Sequence, residues 1–156
     1  NSTGYQQVAD AQYGVSFFIG LFLYGVVSPV TEEIIYRGIT YQRLKRTCGV
    51  IPAMLISALI FGGLHGNWVQ AVYGTLMGIL LAWVYEKYAG FLAPVLVHMA
   101  ANLGVYSITY GSRLAGLSRK TCIMATIVSV LITGVCFWYL NWKMSQSAGM
   151  MHNEGE

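Results

Sequence analysis

Glu32, Glu33, Arg37, His65, His98 and Asn102 are the residues of this chain whose types and spacing could do chemistry inside an apolar protein. Glu33 and Arg37 stand i, i+4 with the acid nearer the N-terminus, the better order for a helical ion pair. Successive helical residues turn by about 100°, so Glu32 cannot share that face and is expected to lack a local partner. A carboxylate left unpaired away from water is the kind of group that accepts a proton near neutral pH, as a general base must. His98 and Asn102 are also i, i+4, and Phe61 precedes His65 by the same interval, which sets an aromatic pocket wall one turn before that imidazole. One free carboxylate, two imidazoles and a carboxamide are parts for activating a water and stabilising an oxyanion. Neither histidine has an evident serine or cysteine nucleophile beside it, since Ser57 lies two turns before His65 and Ser107 more than two past His98. Direct attack by water is the simplest chemistry. Zinc held by Glu32, His65 and His98 is the alternative, because two histidines and a glutamate form a known catalytic set. The zinc-protease pattern His-Glu-x-x-His is absent, so no cofactor is favoured.

Such groups are expensive in lipid, and the rest of the chain is built for lipid. It is 56% hydrophobic and 10% charged, with a mean hydropathy of +0.56; soluble domains are near a quarter charged. Ala11–Thr31, Thr47–Tyr85, Tyr88–Ser112 and Thr121–Trp142 contain no Asp, Glu, Lys or Arg. A span needs about 20 apolar residues, so the second tract is long enough for two spans and the others for one each. The expected fold is all-α: a polytopic transmembrane bundle of about five helices, or the core of a larger bundle, in one domain over 1–156. A charge near the bilayer centre costs roughly 2.5–3.5 kcal/mol on the most lenient scale, so the six polar groups should face the bundle interior.

The first helix is expected to bend at Pro29, which removes the hydrogen bond to the Gly25 carbonyl, and to stop near Gly49. The second starts near Ile51 and reaches His65, with Gly66 and Asn67 as the break. The third runs from about Trp68 to Tyr85, its Gly74 and Gly78 at the small-xxx-small spacing of close membrane contacts. The fourth starts near Phe91 and carries His98 and Asn102; a fifth covers about Cys122–Trp142, and the tail 144–156 is polar and loose. Cys48, Cys122 and Cys136 lack metal spacing and read as small apolar core residues. The net charge of +3 forms no basic stripe, so no nucleic-acid partner is expected. With the Arg43–Arg46 end cytoplasmic, the loop cations follow the positive-inside rule, five against three. An ion or proton carrier draws on the same polar groups, but no second broken helix carries a matching site.

Glu32-Glu33-Ile34-Ile35-Tyr36-Arg37, Phe61-Gly62-Gly63-Leu64-His65 and His98-Met99-Ala100-Ala101-Asn102 resemble, in order, the three motifs of the CPBP family, the CAAX proteases and bacteriocin-processing (Abi) proteins that include the type II CAAX prenyl endopeptidase. The resemblance covers about Val27–Gly104. It implies an intramembrane endopeptidase with Glu32 as general base assisted by His65, and His98 and Asn102 stabilising the oxyanion. Glu33 and Arg37 would hold the first helix in place. The implied partners are membrane lipid and a peptide or protein substrate, either a prenylated CAAX-type chain or a leader peptide. The expected location is a multi-pass position in a prokaryotic plasma membrane, the spans making it multi-pass and the brevity of the chain pointing to a prokaryotic source. The same resemblance allows a non-catalytic scaffold or bacteriocin self-immunity protein that keeps the motifs.

Overall fold

The computed structural model describes residues 2–116 and Met124, and these are helical with no strand among them. Five helices follow in order: α1 (Ser2–Tyr13), α2 (Phe17–Cys48), α3 (Val50–Gly63), α4 (Trp68–Lys87) and α5 (Leu92–Leu114). Three of them, α2, α4 and α5, are long and apolar enough to cross a membrane. Residues 2–110 form one compact unit.

Two differences from expectation stand out. The helix α1 precedes the first apolar tract, where no element was expected. The apolar helix α3 has only 14 residues, because Gly49 and the Leu64–Asn67 turn close it at both ends. Gly49 has φ 84° and Gly66 φ 72°, the left-handed region in which glycine carries no Cβ penalty. Asn67 then caps α4, its side-chain oxygen accepting from the Gln70 backbone N–H at 2.9 Å. The expected Cys122–Trp142 helix, Cys122, Cys136 and the polar tail lie outside the described residues. Cys48 is exposed at the end of α2 rather than in a core, its thiol turned to the Leu44 carbonyl at 3.1 Å.

The closest packing joins α3 to α4. Gly78 meets Ala58 so tightly that a Cβ on it would lie 2.9 Å from the Ala58 Cα. Close approach at small residues is how membrane helices gain van der Waals contact without a hydrophobic drive. The same contact presents the Gly78 carbonyl to the side chains of α2. Tyr41, Ala53, Met54 and Ala82 form a buried cluster where α2, α3 and α4 meet. Beside it the ends of α2 and α4 are tied by Lys45 to Glu86 at 2.7 Å and by Gln42 to the Tyr85 hydroxyl at 2.7 Å.

Against α2, the helix α5 packs through aromatics. Tyr106 stacks on Tyr13 and Tyr24, with centroids 5.2 and 6.1 Å apart, and Leu103 presses on Gly25, where any Cβ would collide. Phe18, Ile19, Phe22, Ile34, Ile35 and Ile39 of α2 are left exposed, which suits a helix whose outer face meets lipid.

Candidate active site

Glu33 and Arg37 form the ion pair their spacing implies, with Arg37 Nη1 3.0 Å from Glu33 Oε1 and both side chains fully buried. Arg37 also donates through Nη2 to the Gly78 carbonyl at 3.0 Å and lies over the Phe61 ring at 5.1 Å. One guanidinium therefore ties α2 to α3 and α4.

The same Glu33 oxygen accepts from His98 Nδ1 on α5 at 2.9 Å. A carboxylate in that position makes Nδ1 the protonated nitrogen and directs Nε2 away from it. That Nε2 lies 3.6 Å from Glu32 Oε2. The separation exceeds a direct hydrogen bond and suits a shared water. His98 is buried and Glu32 about one-quarter exposed, so a single imidazole stands between the two acids with only Glu32 open to the outside.

Glu32 is not without a local partner. Ser28 Oγ donates to Glu32 Oε1, one turn earlier on the same helix. The spacing of Ser28 and Glu32 is itself i, i+4, and that interval was the available signal.

His65 Nδ1 is 2.8 Å from the Phe61 carbonyl. A carbonyl can only accept, so Nδ1 carries the proton and Nε2 is the acceptor of that ring. The Phe61 ring meets His65 edge-on at 5.0 Å and His98 edge-on at 5.7 Å. His65 and His98 thus both lie against the Phe61 ring. Among the described residues no three His, Cys, Asp or Glu side chains gather closely enough to hold a metal ion.

Asn102 reaches α2 at an unexpected atom. Its Nδ2 donates to the Tyr24 carbonyl at 3.0 Å, and the reason lies in the helix register. Around Leu23–Val27 the ladder loosens to i→i−5 spacing, and the Ser28 N–H bonds the Leu23 carbonyl. The next bond of that series would run from residue 29 to Tyr24, but Pro29 has no N–H. Continued to Pro29, that series leaves the Tyr24 carbonyl without a backbone donor, and Asn102 takes it. An amide nitrogen carries two hydrogens, so one remains for a ligand. Asn102→Ala is expected to cost about 1–3 kcal/mol by leaving that carbonyl unpaired. In a Pro29→Ala background, where a backbone N–H can close the series, most of that loss should vanish. Equal losses in both backgrounds, measured by unfolding in detergent, would contradict this account of Asn102.

A cavity of about 380 Å³ lined by Gln42, Lys45, Arg46 and Tyr85 includes none of these groups.

A family model described as Type II CAAX prenyl endopeptidase Rce1-like matches residues 14–104, more than half of the chain. The chain belongs to the Rce1-like family. The match contains every residue of the site, from Ser28 to Asn102. The chain is 30% identical over 97 residues to the Bacillus subtilis (strain 168) protein named "Putative membrane peptidase YdiL", covering 62% of this chain and 39% of that one. It is 26% identical over 84 residues to the Lactococcus lactis subsp. lactis (strain IL1403) "UPF0177 protein YxdF", covering 53% and 45%. It spans less than half the length of these curated relatives. No solved structure matches it. Family and apolar helices together make this a membrane protein of the CAAX-protease type.

Proposed function

We propose that the chain is the catalytic core of an intramembrane endopeptidase in which Glu32 is the general base and no metal takes part. The supporting observation is the single imidazole of His98 between two glutamates, bonded to the buried one and facing the accessible one. Glu32 Oε2 takes a proton from a water lodged beside His98 Nε2, and the water oxygen attacks the scissile carbonyl carbon. The C–N bond then breaks, and the proton held by Glu32 passes to the leaving amine. His98 Nε2 accepts from the water when it lacks a proton and donates to the oxyanion when it carries one. The free N–H of Asn102 is a second oxyanion donor. His65, in contact with the same Phe61 ring as His98, assists the base.

The substrate class is a peptide reached from the membrane, and a prenylated C-terminal CAAX-type peptide is the first choice from the family's description. The relatives are bacterial, which supports a multi-pass location in a prokaryotic plasma membrane. Protein reconstituted in liposomes is expected to cleave a quenched fluorogenic prenylated CAAX-type peptide at an unchanged rate after exhaustive chelation. Loss of cleavage on chelation, restored by added zinc, would overturn the metal-free mechanism. Absence of cleavage of both this peptide and an unprenylated leader-type peptide would favour the scaffold.

A further inference from the structure

Hydroxyls in these helices habitually turn back to the main chain. Thr31 bonds the Val27 and Ser28 carbonyls at 2.9 Å, Thr47 bonds Arg43 at 3.2 Å, Ser57 bonds Met54 at 3.2 Å, and Thr75 bonds Ala71 at 2.8 Å. That is the ordinary resting place for a helical Ser or Thr. Ser28 departs from it and donates forward to Glu32 Oε1. The acceptor four residues behind Ser28 is the Tyr24 carbonyl, which already receives the Asn102 amide. The hydroxyl has one proton, and it goes to the carboxylate.

We propose that Ser28 is a positioning residue for Glu32, its hydroxyl holding Oε1 so that Oε2 is the oxygen presented to His98. A carboxylate one turn along a helix can swing through several rotamers. With Oε1 tethered, the plane of the group is set and Oε2 stays at the His98 side of the site. The role rests on the assignment of Glu32 as the base. The Ser28 side chain bonds Glu32 Oε1, so it acts through the orientation of the base.

Threonine and valine at position 28 have nearly the same shape and differ in the hydroxyl, so folding defects fall on both alike. The full chain would be compared with Ser28→Thr, Ser28→Val and Glu32→Gln in liposomes, using the prenylated CAAX-type peptide and infrared spectroscopy. The carboxylate stretch that disappears in Glu32→Gln belongs to Glu32. It is expected to keep its position in Ser28→Thr and to move in Ser28→Val. In turnover, Ser28→Val should lower kcat about 10-fold, within what a misplaced reacting group costs, while KM holds and Ser28→Thr keeps most of kcat. Matching band positions and matching kcat in the Thr and Val variants, with Glu32→Gln inactive, would overturn the role of Ser28 alone. Turnover retained by Glu32→Gln would overturn the assignment of the base and the role of Ser28 with it. If the unaltered chain cleaves nothing, the peptidase function fails and the infrared comparison still decides the hydrogen bond.

Discussion

Arg37→Ala is expected to lower stability by about 3–5 kcal/mol, the usual loss when one partner of a buried pair is removed. The size follows from what remains behind. Glu33 is fully buried, and without the guanidinium its charge keeps only the His98 Nδ1–H as a partner. The Gly78 carbonyl loses its side-chain donor at the same moment, and α2 loses one of its ties to α3 and α4. Arg37→Lys should recover part of this, because an ammonium can meet Glu33 but lacks the planar fork that reaches two acceptors at once. Unfolding in mixed detergent, with helicity as the signal, measures the ladder of wild type, Lys and Ala. Arg37→Ala within about 1 kcal/mol of wild type, the range of an exposed pair, would contradict the structural part given to Arg37.

Which parts of this site could be read from sequence depends on how local each contact is. The Glu33–Arg37 pair needs one helical turn, and its spacing announces it. Phe61 and His65 are equally local, so their ring contact was legible. The His98–Glu33 bond joins residues 65 apart in sequence, and no spacing rule reaches that far; motif resemblance placed both in one site without saying which atoms meet. Ser28 shows a different failure. Its spacing to Glu32 was visible, but helical serines normally bond backwards, and only the three-dimensional structure shows that this one bonds forward.

The fold divides along the same line. Glycines with positive φ at Gly49 and Gly66 mark breaks that composition had located, and the Gly74 and Gly78 spacing foretold the tight α3–α4 seam. The i→i−5 ladder just before Pro29 and the bond from Asn102 to the Tyr24 carbonyl are contacts that counting four residues back from the proline does not reach. Counting uncharged tracts overstated α3, whose 14 residues sit inside a tract long enough for two spans.

Glu32→Gln tests the chemistry with little disturbance to the shape. Glutamine retains an oxygen for the Ser28 hydroxyl and fills the same volume, and at a site about one-quarter exposed the loss of charge should leave the fold intact. What it cannot do is take a proton from water. Removing a general base typically costs about 10²–10⁴ in rate, or roughly 3–5 kcal/mol of barrier at 1.4 kcal/mol per decade. Aligned with Glu33 through His98, Glu32 belongs at the upper part of that range. The decisive number is kcat for a prenylated CAAX-type peptide in liposomes, measured on Glu32→Gln protein that unfolds at the wild-type midpoint. A drop of about 10³-fold or more is the predicted result; a folded Glu32→Gln variant that cleaves at the wild-type rate would contradict it.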